Sequence, residues 1–215
     1  MRLLTTADYR RMRWKNDLGW TTEIAVSPAD ATADYDWRVS IAEIENDSSF
    51  SAFPGFDRSL LVLHGAGIEL TFNQAPSVTL HERDRPAQFA GEWRASCRLL
   101  DGPTRDFNVM TRRGIVSAEL LHRPLVGAMW FHASAQTEWL IHMLAGSAKI
   151  AGLVEPLESG GSLCLSPHSG HRLLNGGGDL LVVKFTRNTA NAIDDISSQG
   201  LALHPDSRPS DSPEK

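Results

Sequence analysis

The sequence has few of the features that mark disulfide-rich, membrane-spanning or nucleic-acid-binding proteins. Its 215 residues include only two cysteines, Cys97 and Cys164, so at most one disulfide can form, and no CxxC pair is present. No stretch approaches the ~18 apolar residues of a membrane span or the ~7–15 of a signal peptide near the N-terminus. The net charge of −5 disfavours a phosphate-backbone partner. These absences favour a reduced, cytoplasmic protein that binds neither nucleic acid nor membrane.

Helical periodicity is also scarce, and short apolar runs bounded by glycine, proline, asparagine or aspartate recur along the chain instead. Residues 37–44 alternate between apolar and polar side chains, which is the pattern of a half-buried strand. Further strands are predicted at residues 59–63, 68–72, 93–100, 115–121, 138–144 and 180–185. Many short strands at this spacing are typical of a β-barrel or sandwich. One helix is predicted at residues 188–198, and a disordered polar tail at residues 205–215.

A repeat with a period of 81 residues is the clearest sign of internal organisation. Gly65 and Gly146 each follow an apolar strand pattern and lie 81 positions apart. Pro86 and Pro167 show the same offset. The repeat predicts a duplicated β unit, and chance recurrence of glycine and proline in turns is the alternative. The glycine run at residues 176–178 accompanies no phosphate-binding motif, so it is predicted to be a flexible turn between strands.

The second half of the chain contains Gly161, Pro167, His171 and Asn175 at spacings that suggest a known motif. In these residues it resembles, in part, the second of the two sequence motifs of the cupin family. With His132 and Glu138 from the first motif, His171 forms a candidate ligand set for iron, manganese or zinc. Ser134 replaces the second histidine of the first motif, so ordinary polar strand and turn residues are the alternative interpretation. We therefore expect no metal and no other cofactor.

In the first half an arginine stands where cupins carry a metal-binding glutamate. Arg58 precedes Gly65 by seven positions, and neither expected histidine is present in residues 51–55. A guanidinium cannot hold a metal ion, but it can hold a carboxylate through two parallel hydrogen bonds. A surface arginine paired with Asp57 or another acid is the alternative.

A wider resemblance covers roughly residues 1–187. The segments that carry it are Trp14-Lys-Asn16-x-x-Gly19-x-Thr21-x-Glu23, Trp37-Arg38-x-Ser40-Ile-Ala42, Phe53-Pro-Gly55-x-x-Arg58 and Asp106-Phe-Asn108-Val-Met110-Thr-Arg112. In these segments the chain resembles the HutD/Ves family, found with bacterial histidine-utilisation genes. The resemblance implies an all-β fold of two tandem cupin-like (RmlC-like) β-barrels packed as a bicupin. We expect an N-terminal barrel over residues 1–112, a C-terminal barrel over 113–190 and a partly disordered segment over 191–215.

Polar residues in these segments are predicted to line a ligand pocket in the N-terminal barrel. Their spacing of two places Thr21 with Glu23, and Arg38 with Ser40, on one face of a strand. Burying such groups is costly unless they pair with each other or with a ligand. The predicted ligand-binding residues are Asn16, Thr21, Glu23, Arg38, Arg58 and Asn108. A structural role, in a turn, an internal ion pair or a tied loop, is the alternative for each.

These residues favour a non-catalytic protein that binds a carboxylate intermediate of histidine breakdown, such as urocanate or N-formylglutamate, and tunes the pathway. We assign no catalytic residue. The alternative is a cupin enzyme, an isomerase or a hydrolase-like protein, that acts on a small metabolite with or without a metal. A DNA-binding regulator is disfavoured by the acidic composition. Open β edges and apolar outer faces favour a homodimer.

Overall fold

The computed structural model describes residues 1–14, 17–29, 31 and 34–188. These residues form a nearly all-β structure with sixteen strands and a 3₁₀ turn at Thr6–Asp8. The strands are β1 Arg2–Leu4, β2 Arg10–Arg13, β3 Gly19–Ser27, β4 Trp37–Ile44, β5 Ser48–Ser49, β6 Phe56–His64, β7 Ile68–Phe72, β8 Val78–Leu80, β9 Ala87–Ala90, β10 Ala95–Leu99, β11 Thr104–Arg112, β12 Val116–Ala133, β13 Thr137–Ile150, β14 Leu157–Glu158, β15 Ser162–Leu165 and β16 Gly170–Arg187. The predicted all-β class is therefore confirmed. Within these residues no helix is long and apolar enough to cross a membrane.

The strands form three sheets. Two of them make up the N-terminal half, with strand orders β2-β3-β4-β11-β6-β9 and β5-β10-β7-β8. The third makes up the C-terminal half, with order β1-β15-β13-β16-β12 and β14 paired to β13. Although β1 precedes the N-terminal half in sequence, it belongs to the sheet of the C-terminal half. It pairs there with β15, and Arg2 lies opposite Cys164. The division into two barrels after residue 112 stays a prediction.

The pairing scheme of the N-terminal half recurs in the C-terminal half. The order β4-β11-β6-β9 corresponds to β12-β16-β13-β15. Each set also contains a bulge at the equivalent place: Leu63 is skipped in the pairing of β6 with β11, and Leu144 in the pairing of β13 with β16. These two leucines lie 81 positions apart, so the sequence repeat reappears in the register.

The glycine run at residues 176–178 lies inside β16, so its prediction as a turn was wrong. Gly178 lies so close to β13 that an added Cβ would overlap the carbonyl oxygen of Ala145. Gly146, inside β13, has a φ of +93°, and a Cβ added to it would overlap the carbonyl oxygen of Gly177 in β16. These glycines are needed for close backbone approach between paired strands rather than for a loop.

Alternate residues of the central strands face two different cores. Val39 and Phe107 pack with Leu181 in a cluster that joins the two halves, where the rings of Trp37 and Phe185 also stack 4.3 Å apart. The opposite face of β4, β6 and β11 points into the N-terminal half. The alternation predicted for residues 37–44 is therefore confirmed. One face of β4 packs in the core between the halves, and the other faces the site described below.

The remaining strand predictions differ from the structure mainly in length. The prediction for residues 68–72 matches β7, whereas those near residues 115, 138 and 180 cover only parts of β12, β13 and β16. The helix predicted from residue 188 begins at a residue without helical structure. Its other residues, and the predicted tail, lie outside the described residues.

Candidate functional site

A cavity of about 530 Å³ borders the inner face of the six-stranded sheet in the N-terminal half. β4, β6 and β11 supply its polar wall, and the segment that follows β5 supplies aromatic side chains. The lining residues are Met12, Arg13, Trp14, Thr21, Arg38, Ser40, Ala42, Ser49, Phe50, Ser51, Phe53, Arg58, Asp106, Asn108 and Met110. The volume lies within the range of about 300–1,000 Å³ that is usual for small-molecule sites.

Arg58 is a buried cation in the wall of this cavity, with 7% of its surface exposed. Its Nε and Nη2 atoms donate to Oδ1 of Asn108 at 3.2 and 3.1 Å. Phenylalanine rings surround the guanidinium, with the centroids of Phe50 and Phe89 at 5.1 and 5.0 Å. Burial lowers the pKa of Arg58 to about 10, so it stays charged at neutral pH. The predicted alternative of a surface arginine was wrong, because Arg58 is buried and Asp57 pairs with Arg113 at 2.8 Å.

Asp106 lies two positions before Asn108 on the same face of β11. None of its surface is exposed, and neither carboxylate oxygen has a hydrogen-bond partner among the described residues. Burial raises the pKa of Asp106 to about 7, and the nearby charge of Arg58 opposes that rise. The residue lies beside the bulge in the pairing of β6 with β11, a feature that often re-aims side chains near sites.

Arg38 and Glu23 form a half-buried ion pair beside the cavity. Nε of Arg38 donates to Oε2 of Glu23 at 2.6 Å. Only Arg38 lines the cavity, so Glu23 takes the structural role considered for it, which is to hold the arginine. Thr21 also lines the cavity, and its hydroxyl accepts a hydrogen bond from Nε1 of Trp14 at 2.8 Å. Asn16, the remaining predicted residue, lies outside the described residues.

The structure thus brings Thr21, Arg38, Arg58 and Asn108 together, and it adds residues that the sequence reasoning missed. Asp106 is the most important of these. The spacing of two that puts Asn108 and Met110 on one face of a strand also puts Asp106 on that face, and this signal could have identified it. The aromatic residues after β5 carry no comparable signal, because their position depends on packing between distant segments.

The candidate metal ligands of the C-terminal half do not converge. The rings of His132 and His171 are exposed and pack 4.2 Å apart on neighbouring strands. Glu138 is buried, and Nε of Arg187 donates to it at 2.9 Å. Across the part of the chain that the structure describes, no group of three or more His, Cys, Asp or Glu is arranged to hold a metal ion.

A buried hydroxyl–imidazole pair also lies in the C-terminal half. Nδ1 of His142 lies 2.9 Å from Oγ of Ser162, which contacts the hydroxyl of Tyr9 at 2.7 Å. Burial lowers the pKa of His142 to about 4, so the imidazole is neutral at neutral pH. These side chains are not among those lining the cavity. They connect the segment after β1 to the C-terminal sheet.

Several known proteins resemble this chain in sequence. In Pseudomonas putida, an uncharacterized 21.2 kDa protein in the hutC 3' region is 43% identical over 110 residues, 51% of this chain and 57% of that protein. The match therefore spans little more than half the length of this relative. Protein Ves of Cronobacter sakazakii is 30% identical over 174 residues, 80% of this chain and 92% of its own.

Solved structures show the same fold. HutD from Pseudomonas fluorescens SBW25 superposes with a TM-score of 0.73 at 31% identity, covering 87% of this chain and 98% of its own. Oxalate decarboxylase of Lactobacillus farciminis reaches a TM-score of 0.61 at 10% identity, over 94% of each chain, and so supports the cupin-like fold alone. The HutD family model matches residues 6–182. The chain therefore belongs to the HutD family.

Proposed function

We propose that this protein is a non-catalytic, cytoplasmic binding protein that holds a small carboxylate metabolite in the N-terminal cavity and thereby tunes histidine utilisation. The observation that carries the proposal is Arg58, a buried cation that hydrogen-bonds, within the described part of the chain, to the neutral amide of Asn108. A buried charge without a paired counter-ion is costly. An incoming carboxylate would supply the missing negative charge through charge-assisted hydrogen bonds.

The cavity also offers groups that suit the rest of such a ligand. Thr21 and Ser40 provide hydroxyls, and Phe50 and Phe53 provide flat apolar surface. Urocanate and N-formylglutamate, two intermediates of histidine breakdown, each combine a carboxylate with a second polar group. Family membership links the chain to histidine utilisation by name and locus. We therefore propose these two compounds as the first ligands to test.

Calorimetric titration with urocanate, N-formyl-L-glutamate and formate tests the proposal. We expect at least one of the two larger compounds to bind, and Arg58→Met to weaken that binding about 100-fold while the protein stays folded. The matched control is Arg85→Met, which removes an exposed arginine outside the cavity and should bind like the wild type. If no carboxylate binds, or if Arg58→Met binds normally, the proposed function is wrong.

An enzymatic role is the second candidate, and Asp106 favours it. A buried carboxyl whose pKa is raised to about 7 is suited to proton transfer at neutral pH. NMR spectra of urocanate and N-formyl-L-glutamate, recorded over hours with stoichiometric protein, distinguish the two roles. Product formation that disappears in Asp106→Asn would favour the enzyme, whereas unchanged ligand spectra favour the binding protein.

A further inference from the structure

Asp106 differs from the other buried acid of the described chain. Glu138 is 5% exposed and receives a hydrogen bond from Arg187. Asp106 is fully buried, and no described residue donates to either of its oxygens. An ionised carboxylate in such a place loses its hydration without gaining hydrogen bonds, whereas a protonated carboxyl loses much less. Burial alone therefore favours the protonated form of Asp106.

Among the described groups around Asp106, Arg58 is the one that stabilises its negative charge. From β6, Arg58 faces it as a cation, although no ion pair within 4.0 Å joins the two in the described residues. From β10, the thiol of Cys97 faces it, and burial raises the pKa of that thiol to about 12, which keeps it neutral. Arg38 on β4 faces Arg58 and is paired with Glu23. The ionised form of Asp106 thus depends on Arg58.

A ligand carboxylate would remove that support. Arg58 uses Nε and Nη2 for Asn108, and no hydrogen bond within the described residues uses Nη1. A carboxylate bound there neutralises the charge of Arg58 and adds a negative charge near Asp106. Both effects disfavour a second anion in the cavity. A protonated Asp106, in contrast, offers an O–H that can donate to the ligand.

We infer that Asp106 is a ligand-binding residue, and that a carboxylate binds in this cavity together with one proton, which Asp106 carries. The inference rests on the proposed function, which it deepens by assigning the residue that completes the anion site. The proton balance is simple: the ionised fraction of Asp106 takes up one proton from solution as the ligand anion enters. Because the pKa of the empty site is about 7, roughly half of the molecules must take up this proton at neutral pH.

Titration calorimetry in two buffers of different ionisation enthalpy counts the protons directly. N-formyl-L-glutamate is the main probe, because its carboxyl groups titrate near pH 4 and stay ionised above about pH 6. We expect uptake of roughly half a proton per bound ligand at pH 7 and close to one at pH 8. The affinity should fall up to about tenfold per pH unit above pH 7. Formate, a smaller carboxylate with the same property, is the second probe.

Three variants separate charge from hydrogen bonding. Asp106→Asn keeps a donor and the shape but cannot ionise, so uptake and pH dependence should disappear, and binding at pH 8 should be about tenfold tighter than in the wild type. Asp106→Leu should also lose the pH dependence but bind less tightly than Asp106→Asn. Asp101→Asn, an exposed loop position outside the cavity, is the control and should keep the wild-type proton uptake.

The outcomes separate the inference from the function on which it rests. Binding without proton uptake, or the same pH dependence in Asp106→Asn and the wild type, overturns the role of Asp106 and leaves the proposed function intact. If neither N-formyl-L-glutamate, urocanate nor formate binds the wild type, the proposed function fails, and the inference fails with it.

Discussion

The two halves share a pairing scheme but differ at the positions that form the cavity. Because β6 and β13 correspond with an offset of 81, Arg58 has Trp139 as its counterpart. On the next strand, the residue opposite Val62 is Asp106, and the residue opposite Met143 is Leu180. By the same register, the counterpart of Asn108 is Val182.

The consequences of this difference are visible in packing. Leu180 and Val182 belong to the apolar core of the C-terminal half, with 0% and 3% of their surface exposed. Asp106 and Asn108 are buried to a similar degree, yet they border a cavity. One arrangement of strands therefore supports either a packed core or a polar cavity, and a few inward-facing side chains decide which. This difference supports the proposal that the N-terminal half binds the ligand.

The largest expected effect comes from moving the buried acid into the C-terminal half. Leu180→Asp places a carboxyl in the apolar core of the C-terminal half, where Leu180 has 0% of its surface exposed. We expect a loss of about 5 kcal/mol or more in the free energy of unfolding, measured by urea denaturation. Leu180→Met, which conserves volume, should cost less than about 1.5 kcal/mol. A loss under about 2 kcal/mol for Leu180→Asp would mean that both halves tolerate a buried acid.

The reverse exchange, Asp106→Leu, should stabilise the protein, increasingly as pH rises. The pKa of Asp106 is raised in the folded state from an ordinary 3.8 to about 7. The contribution of protonated Asp106 to the free energy of unfolding is fully present below pH 3.8. It is lost as pH rises to about 7, by on the order of 4 kcal/mol. Urea denaturation at pH 5 and pH 8 should therefore show a larger advantage of Asp106→Leu at pH 8. A constant difference between the two pH values would contradict the raised pKa.

Glu23→Gln should change the affinity of the N-terminal half for its ligand rather than the stability of the fold. Removing the carboxylate leaves Arg38 without its ion-pair partner and makes the cavity more positive by one charge. We expect carboxylate ligands to bind about 3–10-fold more tightly at low salt, with a smaller gain at high salt because charges are screened. Calorimetry at two salt concentrations measures both. Glu43→Gln, which breaks the exposed pair with Arg11, should change affinity little.

The smallest effect is expected at the histidines of the C-terminal half. His132 and His171 are exposed, so replacing either with alanine should change the free energy of unfolding by less than about 0.5 kcal/mol. Ligand affinity in the N-terminal half should stay unchanged. Elemental analysis of the purified protein provides the decisive measurement. A stoichiometric metal ion that is lost in His171→Ala would establish a second site and would favour the enzymatic role.

The sequence predicted the fold and part of the site for identifiable reasons. Alternation over residues 37–44 reproduces the bounds of β4, because each face of this strand meets a different environment. Arg58 and Asn108 were found through family segments and strand spacing. An internal ion pair was the alternative role predicted for Glu23, but the choice of Arg38 as its partner depends on a register shift between β3 and β4. The lack of hydrogen-bond donors to Asp106 among the described residues could not be predicted either, because it depends on which side chains the neighbouring strands place around it.

The pairing of β1 with β15 constrains when folding can be completed during synthesis. The residues of β1 leave the ribosome well before their partners at residues 162–164, which are made about 160 residues later. At about 5–20 residues per second, this delay is roughly 8–30 s. All of the N-terminal half, which ends at Arg112, is made before β1 has its partner. A nascent chain arrested before residue 162 therefore carries an unpaired N-terminal strand, and closure between the first and nearly the last strand is a late event in folding.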